Sequence, residues 1–142
     1  MKKMLWLLLA AGVLAAVLVA CGAKRGERAW QEVNTMEGLT LTVENASGTQ
    51  AEYTIHNNTE KDVVFGRDFA VQTLHNGVWY ELQHKDMAIT LELLFVPAGS
   101  EETFTDVWEP GYGTLPAGDY RILKTVTAGE ESVILAGEFS VS

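Results

Sequence analysis

Leu115-Pro116-Ala117-Gly118-Asp119-Tyr120-Arg121 decides the fold of this chain. Pro116 and Gly118 mark a turn, and Tyr120 opens a strand. That order is the arrangement of a tyrosine corner, in which a phenol bonds to backbone upstream and pins a loop of a β-sandwich. Gly118 is expected to supply the conformationally free turn residue. Tyr120 then has a structural role rather than a catalytic one. Arg121 and Lys124 follow on the same strand and read as strand surface charges.

The rest of the chain after residue 38 alternates in the same short period. Leu39, Leu41 and Val43 alternate with Thr40, Thr42 and Glu44, the pattern of a half-buried strand. Asn45-Ala46-Ser47-Gly48 is a turn, Tyr53 and Ile55 continue the alternation, and Asn57 to Asp62 turns again. Val63-Val64-Phe65 is a short strand closed by Gly66. Asn76-Gly77 lies between Phe69–Leu74 and Val78–Leu82, the strongest short hairpin signal because both residues tolerate positive φ. In Met87 to Phe95, Ile89, Leu91 and Leu93 alternate with Thr90 and Glu92, whereas Met87, Leu91 and Leu94 also suit a helix; the β-branched content and length favour strand. Pro97 to Ser100 and Pro110 to Gly113 are breaks. Thr103–Trp108, Asp119–Val126 and Ser132–Val141 complete eight or nine strands, which predicts an all-β antiparallel sandwich.

The amino end has a different logic. Lys2-Lys3 precedes an apolar run from Met4 to Ala20, which is the order of a secretory signal. Leu18-Val19-Ala20-Cys21 resembles the lipobox of bacterial lipoproteins. The resemblance implies cleavage before Cys21, a diacylglycerol on its thiol and an acyl chain such as palmitate on the new amino end. An uncleaved anchor is the alternative, but the run is at the short end of the roughly 17–25 residues that a span needs. Residues 1–20 are therefore expected to be signal peptide, 21–37 lipidated cysteine and tether, and 38–142 the sandwich. Trp30 and Val33 are candidates to pack on the domain. Cys21 is the only cysteine, so no intrachain disulfide can form.

Charge bears on partners. The chain has 10 Lys+Arg and 19 Asp+Glu. Without Lys2 and Lys3 the balance is 8 against 19, a net −11. This excludes nucleic acid, whose phosphates need a basic face. Lys24, Arg25 and Arg28 sit just after Cys21, whereas beyond Ala29 the balance is 5 against 18, a net −13. The tether is expected to lie on anionic headgroups while the acidic body stands off them, either to meet a cationic partner or simply to stay soluble.

Catalytic chemistry has little support. There is no Gly-x-Ser-x-Gly elbow. His56, His75 and His84 lack metal-ligand spacing, so neither a metal nor a cofactor is expected. Glu101-Glu102 and Glu130-Glu131 read as solvated loop acids more simply than as Ca²⁺ ligands. Asn45-Ala46-Ser47 and Asn57-Asn58-Thr59 are glycosylation sequons only on a eukaryotic route, which the lipobox argues against.

Phe65-Gly66, Phe69-Ala70-Val71, Asn76-Gly77-Val78-Trp79-Tyr80, Trp108, Tyr112-Gly113, Leu115 and Gly118 to Lys124 occur in the order seen in a bacterial Ig-like domain family of cell-envelope lipoproteins. The chain resembles that family over most of residues 38–142, with Gln72 where many members have Glu. The resemblance implies an immunoglobulin-like sandwich at the extracytoplasmic face of a cell membrane, and no defined activity. The expected role is non-enzymatic: binding or scaffolding of a protein or other envelope component, with a proteinase-inhibitor-like module as the alternative. The loops Asn57–Asp62, Gly111–Ala117 and Ala128–Glu131 are the expected binding end, with Tyr112, Glu130 and Glu131 as candidates. Tyr112 could equally fold back on the core.

Overall fold

A computed structural model describes residues 23–142. Cys21 and the apolar run before it lie outside these residues. The strands are β1 (Arg25–Arg28), β2 (Leu39–Ala46), β3 (Gln50–Asn57), β4 (Val63–Phe65), β5 (Ala70–His75), β6 (Val78–Leu82), β7 (Leu94–Val96), β8 (Ser100–Val107), β9 (Gly118–Ala128) and β10 (Glu131–Val141). One short helix, α1, spans Glu109–Tyr112.

All pairing is antiparallel, and the strands form two sheets packed as a sandwich. The spine of the larger sheet is the β9–β10 hairpin, in register from Ala128↔Glu131 to Gly118↔Val141. The other side of β9 takes β5 along Tyr120–Leu123 and β4 along Val126–Ala128. Strands β4 and β5 thus lie end to end, with β7 beyond β4 and β6 beyond β5. Strand β1 adds to the outside of β6. The smaller sheet has the order β2-β3-β8.

The two-residue period of β9 builds the core. Tyr120, Ile122, Lys124, Val126 and Ala128 share one face, and all are buried. They meet Tyr53 and Ile55 of β3, Leu39 and Leu41 of β2 and Leu135 of β10 in one apolar cluster. Trp108 stacks on Phe139 with centroids 5.3 Å apart, and its indole N–H donates to the Gly48 carbonyl at 2.8 Å. A fully buried side chain of this kind stabilises by roughly 1.5–3 kcal/mol. Asn76 and Gly77 have φ of 50° and 75°, so the β5–β6 hairpin closes through the tight turn its sequence predicts.

The tether reading gives way at the amino end. From Arg25 the chain is an edge strand, and it then crosses the outer face of the larger sheet. Ala29 N–H bonds to the Trp79 carbonyl, and Gln31 bonds to Gln72 and Glu81. Asn34 bonds to Ile134 and makes two bonds to the backbone of Ala136 on β10. Backbone groups on a free strand edge seek partners, and this segment supplies them. Trp30 does not pack on the domain; it stays 76% exposed, with the Arg28 guanidinium 4.1 Å above its ring.

Two further expectations fail. Residues 83–93 carry no regular strand, and only Leu94–Val96 pairs. Ile89, Leu91 and Leu93 are exposed rather than half-buried on a core face. Arg121 and Lys124 are buried, not surface charges. Sequence alternation alone cannot reveal what covers the outer face of a strand, and here Gln72 and Trp79 cover Arg121.

Candidate functional site

The corner is present. The Tyr120 hydroxyl donates to the Pro116 carbonyl at 2.7 Å. Gly118 plays a different part from the one its sequence suggests. It is not among the positive-φ glycines, and a Cβ there would touch the Tyr120 ring at 3.4 to 3.5 Å, ordinary van der Waals contact. It starts a strand beside the ring rather than forming a left-handed turn.

A buried ionic cluster spans the two sheets. Lys124 of β9 donates to Asp106 of β8 at 3.1 Å, and both side chains are almost fully buried. The ammonium lies 5.4 Å from the Phe65 ring, 5.5 Å from Tyr53 and 5.8 Å from Phe69. Burial outweighs pairing for both partners: the Asp106 carboxyl is pushed above 3.8 and the Lys124 amine below 10.5. The Tyr53 hydroxyl, in the same pocket, has no hydrogen-bond partner of sound geometry, and burial followed by the Asp106 charge raises its pKa. On the opposite face of β9, Arg121 donates to Gln72 at 2.7 Å and stacks over Trp79 at 4.4 Å. Burial lowers the Arg121 pKa, opposed by Glu138 and Glu81. Gln72 is a buried connector between Arg121 and Glu81.

The expected binding end is divided. Gly118 and Ala128 are the two ends of β9, about 33 Å apart at strand rise. The Gly111–Ala117 loop lies at the first end, tied to the β2–β3 turn by the Leu115 N–H and the Gly48 carbonyl. Tyr112 there is 3% exposed. Its ring packs between Phe69 and His84, and its oxygen accepts the Val71 N–H at 3.2 Å. It is a core residue and not an exposed anchor.

Glu130 and Glu131 lie at the other end and are exposed. There the Asn57–Asp62, Pro97–Ser100 and Ala128–Glu131 turns converge, since Val63 pairs with both Val96 and Ala128. The Asp62 carboxylate accepts the Ala98 N–H at 3.0 Å. Buried Asn57 donates to the Lys61 and Val96 carbonyls and fixes the first turn. Exposed Glu60, Glu101, Glu130 and Glu131 make this end acidic, relieved by Lys61, and His56 Nδ1 lies 2.6 Å from the Glu101 carboxylate.

Sequence reasoning missed a second surface. Ile89, Leu91, Leu93 and Phe95 are all exposed, Leu91 completely, and Val107 on the free edge of β8 joins them. A groove of about 500 Å³ separates Ile89–Leu93 from Gly66–Asp68, where Arg67 pairs with Glu92. A second, of about 420 Å³, runs between Met87–Thr90 and Thr105–Val107, with Asp106 in its wall. The one signal available was the length of the 83–93 stretch between two strands. Alternation usually marks a strand, so it concealed an apolar row facing solvent.

Among the described residues, no three His, Cys, Asp or Glu side chains are grouped to hold a metal ion. No helix among them is long and apolar enough to cross a membrane. No curated protein matches the chain. A family described as bacterial Ig-like domain matches residues 31–140, from the crossing segment to the end of β10. With two antiparallel sheets packed face to face and a family match over well more than half its length, the chain belongs to the bacterial Ig-like domain family.

Proposed function

We propose that this protein is a lipid-anchored module of the extracytoplasmic face of a bacterial membrane. It works without catalysis of its own, by binding a cationic protein or other envelope component at its acidic end. Attachment rests on Leu18-Val19-Ala20-Cys21, whose cysteine would carry the diacylglycerol. Two acyl chains, at about 0.8 kcal/mol per buried methylene, hold such a protein firmly.

The observation that carries the binding reading is the convergence of three turns into one exposed acidic end holding Glu60, Glu101, Glu130 and Glu131. Turns braced by a rigid sandwich are where binding residues concentrate. Complementary charge raises the rate of encounter and selects the sign of the partner.

Surface crosslinking in whole cells, followed by identification of the captured partner, tests this reading. Reversal to Lys at Glu130 and Glu131 should cut capture while the unfolding midpoint stays within about 0.5 kcal/mol, as for ordinary surface changes. Capture that persists in the reversed variant contradicts the assignment. Hydrolysis of a peptide, ester or glycan by the purified protein, abolished by a point substitution, contradicts the non-catalytic reading.

A further inference from the structure

We propose that one side of the sandwich lies directly on the bilayer: the side formed by β1, the Ile89–Phe95 strip and the free edge of β8. Its occupant is an anionic lipid surface, with phosphates against β1 and the apolar strip below headgroup level. The anchoring part of the argument rests on the lipid attachment proposed above. The surface itself is independent of it.

Three observations select this side. The first is continuity. Lys24 and Lys85 line one hollow with Pro110, and Pro110 also lines the groove that holds Ile89 and Val107. The Gln83 N–H bonds to the Lys24 carbonyl at 2.8 Å, so β1 leads directly to the 83–93 segment. Every large apolar side chain that is exposed among the described residues lies on this segment, on β7 or β8 beside it, or at Trp30 just past β1.

The second is the leash. Three residues separate Cys21 from the start of β1, and those four steps along the chain reach at most about 14 Å. A sandwich tied so closely cannot stand away from the surface that holds Cys21.

The third is charge. Lys24, Arg25 and Arg28 are exposed along this edge of a body that is otherwise strongly acidic. Of the five basic residues beyond Ala29, Arg121 and Lys124 are buried and Arg67 is paired with Glu92. The acids on this side are Glu27, Asp68, Asp86 and Glu109, with Glu102 on β8 and with Glu92 neutralised by Arg67, so the excess of basic charge is confined to β1 and the residue before it. Basic groups flanking an apolar row with an interfacial Trp are the pattern of a surface that rests in the headgroup layer.

The test uses the acylated mature protein in phosphatidylglycerol vesicles whose acyl chains carry bromine, which quenches tryptophan only at van der Waals range. Trp108 is fully buried and Trp79 lies under Arg121, so Trp30 reports contact. Because Trp30 is one of three tryptophans beyond Cys21, emission should fall by its share, about a third, relative to unbrominated vesicles, and Trp30→Phe should remove that difference. Arg25→Glu with Arg28→Glu should lower the ratio of docked to free protein about fivefold for each basic residue removed. Leu91→Glu with Leu93→Glu should halve the quenching, with near-ultraviolet circular dichroism unchanged.

Unquenched Trp30 on a protein whose Cys21 is shown by mass spectrometry to be acylated overturns the proposal and leaves the anchor standing. An unmodified Cys21 overturns the anchor alone. The face is then read by sedimentation of the unacylated chain, which should pellet with phosphatidylglycerol but not with phosphatidylcholine; failure to pellet overturns it. A stable dimer that buries the strip and ignores vesicles assigns the surface to a second copy and also overturns the proposal.

Discussion

Single side chains decide more here than their sequence positions suggest. Tyr120→Phe removes the bond to the Pro116 carbonyl but keeps the ring stacked on Phe139, so it should cost about 1 kcal/mol in denaturant unfolding. Gly118→Ala should be nearly neutral in the same assay, because the new methyl meets only the edge of that ring. The Lys124–Asp106 pair should behave asymmetrically. Asp106→Asn strands a buried ammonium and should cost about 3–5 kcal/mol, whereas Lys124→Met with Asp106→Leu should match or exceed the parent. The pair also shapes pH dependence. Its carboxyl titrates above 3.8 in the folded state, so its stabilising contribution is complete below 3.8 and is lost as pH rises through the folded value. The amine, held below 10.5, contributes in the opposite direction as pH climbs toward 10.5. Unfolding midpoints across pH, compared between the parent and the double variant, should show both slopes vanish together.

The crossing segment between β1 and β2 is the element that most changes the picture of the molecule. Asn34 sits at φ 57° and binds the free edge of β10 by side chain and backbone, a conformation that Asn tolerates better than most residues. Asn34→Ala should therefore cost about 1–3 kcal/mol, through lost bonds and left-handed strain. Hydrogen exchange at Ala136, whose N–H it accepts, should speed up in that variant. Sequence alternation found β2, β3, β5, β6, β9 and β10 because their partners lie in the same sandwich and leave a two-residue trace. It missed β1, since Arg25-Gly26-Glu27-Arg28 has no apolar face and gains its place only by edge pairing with β6. It took Ile89-Thr90-Leu91 for a half-buried strand because period marks a face without saying what covers it. The acidic turn pair Glu130-Glu131 was legible as exposed charge, but its grouping with Glu60 and Glu101 depends on pairings far apart in the chain. The buried Arg121 was illegible for the same reason: Gln72 and Trp79, which cover it, lie on strands far from it in the chain.

As a whole, the molecule is an acidic sandwich with one apolar side that adjoins the basic edge strand β1. If that side meets lipid, the convergent turns at the Ala128 end of β9 stay in water and free to bind, and the amino-terminal segment serves as a docking edge rather than a spacer. The distribution of charge then has two jobs: attraction along β1 and recognition at Glu60, Glu101, Glu130 and Glu131. The core should be indifferent to the membrane, because Tyr53, Ile122, Val126 and Leu135 are already sealed between the sheets. The most direct measurement is hydrogen–deuterium exchange of the acylated protein in anionic vesicles against the same protein in detergent-free buffer after enzymatic removal of its acyl chains. Slowed exchange at residues 24–30 and 83–95, with unchanged exchange at 57–62 and 129–131, is the predicted result. Equal exchange at 24–30 and 83–95 in both states, or protection confined to 57–62 and 129–131, would contradict it.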